Sequence, residues 1–287
     1  MVAYSTISCQ NSRCLLRDRC VKMDVVAVFN QKGGVGKSTS TIQLADGCAR
    51  RGMTVLVIDL DPQSNSSTTL SPTNPKKLNY TAVTLIQRPD IRIEECIYES
   101  IFPGVSILPM VMKMRELEIE LWRKDTDLIA MHLGRISVGT YDLILIDCPP
   151  NLGKLTLMAL TAATHYLVPV KAGDQYALDG IEDLEATVIE VKRAKNPNLQ
   201  FLGALLTMFD GRKGVDKVTE TRVLETFPGM VFDERLPESV KVKEAIMRRV
   251  SVFSEPNTAV AKSVSRLSKE FLRKLGYEGF ADEGENE

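Results

Sequence analysis

Residues Lys32 to Thr39 read Lys-Gly-Gly-Val-Gly-Lys-Ser-Thr, a spacing that can hold phosphate. Gly36-Lys37-Ser38 matches the end of a G-x-x-x-x-G-K-[ST] loop, with Gln31 where its first glycine would stand. Gly33, Gly34 and Gly36 allow a tight turn that aims successive N–H groups inward, Val35 among them. The helix-compatible stretch that follows (Thr41, Ile42, Gln43, Leu44, Ala45) adds positive charge at its N-terminus. Lys37 would place a point charge on the β- and γ-phosphates, and the Ser38 hydroxyl is spaced to bind Mg²⁺. Lys32 is a second lysine, which a single triphosphate in a monomer does not need. It makes better sense if it leaves its own loop and reaches a nucleotide held by a second copy of the chain.

Two further elements carry carboxylates. Asp59-Leu60-Asp61-Pro62-Gln63 follows an apolar run, and period-2 alternation puts Asp59 and Asp61 on one side. Asp59 reads either as a strand-end cap or as a group facing the phosphates, while Asp61 is the better candidate to position water. The Ser/Thr-rich stretch from Ser64 to Thr73 suits a mobile switch or a plain linker. Leu143-Ile144-Leu145-Ile146-Asp147 is a buried-strand pattern of the Walker B kind, expected to deliver Asp147 to the Mg²⁺ shell through water. Thr207-Met208-Phe209-Asp210 has a Met where a guanine-reading segment carries Lys. That favours adenine, with Met208 and the backbone near Pro237 as contacts.

These positions need strands ending on one side of a sheet. Apolar runs at Val25–Asn30, Thr54–Asp59, Val105–Leu108, Leu143–Asp147, Tyr166–Val170 and Phe201–Thr207 alternate with helix-period stretches. Leu178, Ile181, Leu184, Val188 and Val191 mark one such helical face. The pattern predicts an α/β fold: a doubly wound, mostly parallel sheet with helices on both faces, of the P-loop NTPase type. Ligands in such sheets sit beyond the carboxyl ends of the strands.

The chain has 287 residues, 44% apolar and 25% charged, as in ordinary globular proteins. A formal net charge of −1 excludes a global attraction to nucleic acid, so any DNA contact needs a local basic face. Arg212, Lys213, Lys217, Lys241, Lys243, Arg248 and Arg249 could form one, or be an ordinary solvated surface. The six cysteines show no C-x-x-C spacing, and Cys48, Cys96 and Cys148 read as buried thiols. His132 and His165 have no ligand partners nearby in sequence, which leaves a catalytic zinc without support. Residues 1–22 read as a disordered extension or an upstream start before Met23, with a leader or a DNA-touching arm as alternatives. The ATPase domain is expected over 23–276 and an acidic tail over 277–287, and no apolar run is long enough for a membrane span.

Together these motifs resemble the ParA family of partition ATPases, which is related to MinD. The resemblance runs from about Met23 to Leu275 and includes Asn30-Gln31, Asp59 to Gln63, Asp147 to Pro150, Tyr176 to Gly180, Thr207 to Asp210 and Glu244-Ala245. It implies an ATP- and Mg²⁺-dependent homodimer that binds DNA nonspecifically and a ParB-like partner that stimulates slow hydrolysis. It also implies a cytoplasmic, nucleoid-associated location. Carried over by position, Lys32 is the cross-dimer lysine, Lys37 the lysine of the chain's own site, Asp61 the residue serving the attacking water and Asp147 the Walker B acid. Lys241 and Arg212 match basic, DNA-contacting positions, with Lys243 and Arg248 beside them. Glu238 replaces a basic residue of the family pattern, which weakens the case for that surface. The rivals are a MinD-like membrane ATPase and a metabolic ligase on the same fold. A membrane role would use the stripe Val260, Val264, Leu267, Phe271 and Leu275, but the acidic residues after it favour core packing.

Overall fold

The computed structural model describes residues 22–111, 121 and 123–282. Of the extension expected over residues 1–22, all but Lys22 lies outside the described residues. Seven strands form one sheet: β1 (Asp24–Val28), β2 (Val55–Asp59), β3 (Tyr98–Glu99), β4 (Val105–Leu108), β5 (Leu143–Asp147), β6 (His165–Lys171) and β7 (Gln200–Thr207). Their order is β3-β4-β2-β5-β1-β6-β7. All pairings are parallel except the short antiparallel edge of β3 on β4, which the apolar runs did not foretell. Two residues, half-buried Tyr98 and exposed Glu99, carry no periodicity from which a strand could be read.

The apolar runs become strands buried on both faces. Every residue of β1, β2 and β5 is buried. Alternate side chains feed two cores. Val25, Ala27, Ile144 and Ile146 enter one, with the helices Ala82–Gln87, Lys154–Ala162 and Ile181–Ala194. Val26, Val28, Leu143 and Leu145 enter the other, with the helices Lys37–Ala49 and Ala259–Lys274. Each fully buried Leu or Phe in these layers contributes about 1.5–3 kcal/mol. The stripe Val260, Val264, Leu267, Phe271 and Leu275 is core, all of it at most 5% exposed. No helix among the described residues is long and apolar enough to cross a membrane.

The domain runs past residue 276, where the acidic tail was expected to start. Residues Glu278–Asp282 form a short helix with Ala281 fully buried. Its Ala281 carbonyl accepts from Arg51 at 2.6 Å, and the Tyr277 hydroxyl donates to the Asp142 carbonyl at 3.0 Å. Tyr277, Phe280 and Ala281 are an apolar group hidden among the acidic residues, which is why charge alone misplaced the boundary.

Candidate nucleotide site

β1 delivers Asn30, whose side chain fixes the loop at both ends. Its Nδ2 donates to the Pro169 carbonyl at 2.9 Å, and its Oδ1 accepts from the Lys32 amide at 3.0 Å. Gly36 ends the loop at φ 85° and caps the helix Lys37–Ala49, a conformation that disfavours any side chain. A Cβ there would also crowd Thr207 at 3.4 Å. The Thr207 hydroxyl donates to the Val35 carbonyl at 2.8 Å, which ties the end of β7 to the loop. Gly33 and Gly34 are exposed at the loop's outer turn, and Ser38 and Thr39 are half-buried on the first turn of the helix.

The Lys37 amine is buried inside this turn and donates to the Lys32 carbonyl at 2.9 Å. Burial pushes its ammonium below the ordinary range, while Asp147 and Asp61 pull the other way. A buried amine whose bond is to a loop carbonyl is ready to exchange that bond for an anionic oxygen.

The adjacent strands β2 and β5 bring Asp59 and Asp147 into register. Both are fully buried. Asp147 Oδ2 accepts from the Ser66 hydroxyl at 2.7 Å, and its Oδ1 is buried without a hydrogen-bond partner. Burial pushes its carboxyl up to about 6, against the Ser66 and Ser38 hydroxyls. An orphaned carboxylate oxygen beside a serine hydroxyl, in a pocket holding three acids and one lysine, fits a divalent cation. Among the described residues no group of three or more His, Cys, Asp or Glu could hold a metal ion by itself. Ser38 and Asp147 would therefore share the cation with oxygens of a nucleotide.

Asp59 has a different use. Its Oδ1 accepts from the Asp61 amide at 2.9 Å, and its Oδ2 from the Ser67 amide at 2.8 Å and hydroxyl at 2.6 Å. It is the cap that folds the following turn, the first of its two readings. Asp61 is 5% exposed, close enough to Lys37 for the two charges to interact, and its Oδ1 accepts from the Gln63 amide at 2.9 Å. The stretch expected to be a mobile switch or linker contains an ordered helix, Asn65–Leu70, with Ser66, Ser67 and Thr69 buried. Ser66 and Ser67 are site residues that sequence reasoning missed. A Ser/Thr-rich run reads as surface until two buried carboxylates are known to need donors.

Met208 follows the loop-bonded Thr207 and has φ 53°, a left-handed conformation that re-aims the chain at the end of β7. Its neighbour Phe209 pairs with Pro237 through a β-bridge, so Met208 and Pro237 lie on adjacent segments beside the loop. Asp210 is occupied elsewhere, bound in bidentate fashion by Arg212 at 2.9 and 2.8 Å.

Lys32 is 27% exposed and folds back on its own chain. Its amine lies 2.7 Å from Asp174 Oδ2 and donates to the Tyr176 carbonyl at 2.9 Å. The basic residues do not form one free strip. Arg212 is held by Asp210, Lys213 by Glu238, and Lys241 lies 3.3 Å from Glu255 and 3.7 Å from Glu244. Lys243 and Arg248 are exposed on the helix Val240–Arg248, with no ion pair among the described residues. Cys48, Cys96 and Cys148 are buried free thiols, as expected.

A family model described as an AAA domain, AAA_31, matches residues 23–201. The chain is 35% identical over 266 residues to the chromosome-partitioning ATPase Soj of Thermus thermophilus, covering 88% of this chain and 97% of that protein. It is 35% identical over 225 residues to the chromosome partitioning protein ParA of Myxococcus xanthus, covering 77% of each. The fold superposes on cobyrinic acid a,c-diamide synthase from Mycobacterium smegmatis with bound ADP and magnesium. That match has a TM-score of 0.76 at 26% identity and covers 88% of this chain and 96% of that one. A loop closed on a buried lysine, a carboxylate lacking a partner, and this similarity along most of the chain lead to one assignment: the chain belongs to the AAA_31 domain family, among the Soj/ParA chromosome-partitioning ATPases.

Proposed function

We propose that this protein is an ATPase that dimerises on ATP, binds DNA without sequence preference and partitions plasmid or chromosomal DNA with a ParB-like activator. Its cofactors are ATP and Mg²⁺, and it works in the cytoplasm, on the nucleoid when ATP is bound. The observation that carries the reading is the pairing of a buried Lys37 with a surface Lys32 on one loop.

In this reading the loop amides and Lys37 bind the β- and γ-phosphates. Ser38 and Asp147 would hold Mg²⁺, which would supply charge neutralisation at those phosphates. Asp61 accepts a hydrogen bond from the attacking water, and the loop excludes other water from the pocket. Lys32 enters the site of a second protomer, so a complete site needs two chains. The Met208 and Pro237 segments flank the adenine. Lys243 and Arg248 meet DNA phosphates, with Lys241 and Arg212 recruited when their acidic partners are displaced.

The likeness to a metabolic synthase at TM-score 0.76 shows that the fold alone does not choose a function. The choice of partition rests on the greater identity to Soj and ParA over most of the chain. The test is sedimentation and DNA retention with and without ATP, in parallel with anionic vesicles. Wild-type protein is expected to dimerise and retain DNA only with ATP, and Lys32→Ala to do neither. A Lys32→Ala protein that still dimerises with ATP contradicts the role given to this lysine. Vesicle binding without DNA binding would point to a membrane ATPase, and neither to a metabolic enzyme.

A further inference from the structure

Lys32 does not wait in solvent. Its amine is bound by the Asp174 carboxylate at 2.7 Å and the Tyr176 carbonyl at 2.9 Å, and lies 5.8 Å from the centre of the Tyr176 ring. The receiving segment is itself rigidly placed. Asp174 Oδ1 accepts from the Tyr176 amide at 2.9 Å, leaving Oδ2 for the lysine. The Gly173 amide donates to Thr219 at 3.2 Å and Arg222 donates to the Gln175 carbonyl at 3.0 Å, which fasten the segment to the helix Gly214–Thr226. Gln31, beside Lys32, packs on Gly180 so closely that a Cβ there would meet its side chain at 1.4 Å. Two consecutive loop residues thus dock on one preformed segment.

We propose that Asp174 is a positioning residue for Lys32. With the Tyr176 carbonyl it parks the amine on its own chain in the separated protomer, and this contact must open before Lys32 enters a partner's site. The role rests on the two-protomer reading above. It sets a threshold: the protomer gives up a contact of its own for each contact it makes across the dimer. The hydrogen bond from Lys32 is also the main cause holding the Asp174 carboxyl below its usual range, in keeping with a formed pair.

The test uses the full chain with Asp174→Asn, which keeps the Oδ1 acceptor but removes the charge, and Asp174→Glu, which restores it. Acylation of the Lys32 amine in nucleotide-free protein, followed by mass spectrometry, reads the contact directly. Labelling is expected to quicken about threefold in Asp174→Asn and to stay near wild type in Asp174→Glu. With ATP and Mg²⁺, Asp174→Asn is expected to dimerise at about tenfold lower protein concentration, because two pairs open per dimer. The variant should change nothing further in a Lys32→Ala background. Equal labelling of wild-type and Asp174→Asn protein overturns the proposal even where ATP-dependent dimers form, as does weaker dimerisation of Asp174→Asn. A labelling contrast in protein that never dimerises overturns the two-protomer reading instead, and with it the exchange.

Discussion

Asp147 meets water neither in the fold nor through a partner on Oδ1, and that tension is measurable. Its carboxyl is pushed up to about 6 in the folded protein, against about 4 in an unfolded chain. The folded state therefore binds the proton more tightly. Stability from this group is present at low pH and is lost as pH rises from about 4 through about 6, on the order of 3 kcal/mol in all. Burial raises Asp59 and Asp61 in the same direction. Nucleotide-free Asp147→Asn protein is expected to gain on wild type in melting temperature between pH 4.5 and 7.5, and to lose response to Mg²⁺. A constant gap across that range would contradict the account. Lys37, Ser38 and Asp147 could be proposed from sequence because each lies within a short motif, and the fold brings the three together. Ser66, Ser67 and Asp174 were not, since what identifies them is a partner 81, 8 or 142 residues away rather than a neighbour.

At the scale of elements, the turn between β6 and the helix Ile181–Ala194 is held by the main chain of Gly180. Its φ of 81° is left-handed, and the space a side chain would need is filled by Gln31. Gly180→Ala is expected to cost about 1–3 kcal/mol from the backbone alone and to displace Gln31, loosening the phosphate loop with it. Thermal denaturation and a nucleotide titration check this; unchanged values in both would show that the turn can relax. The long buried strands were readable because apolar runs on both faces have no other use in a chain of this composition. Only β3 escaped, since one half-buried and one exposed residue pair through backbone and leave no pattern in the side chains.

For the molecule as a whole, net charge of −1 means that attraction to a polyanion comes from local groups of cations rather than from the total. Lys243 and Arg248 form no ion pair among the described residues, whereas Arg212 is paired with Asp210 and Lys241 is shared between Glu244 and Glu255. DNA binding by the ATP form is expected to fall steeply with salt. Lys243→Ala or Arg248→Ala should each lower the log–log slope by about 1, and Arg212→Ala by less. A retention assay across salt concentrations decides it, and an equal effect of all three would show that the ion pairs open on DNA. Sequence places these residues together but not their acidic neighbours, which come from other turns of the chain.

One strut joins the two ends of this arrangement. Arg249, left-handed at φ 54° where the helix Val240–Arg248 stops, reaches the Thr69 carbonyl at 3.4 Å and the Ser71 carbonyl, at the close of the turn whose Ser66 holds Asp147. The helix that presents Lys243 and Arg248 is thereby fastened, through two main-chain carbonyls, to the short helix whose Ser66 hydroxyl steadies Asp147 and leaves its other oxygen open.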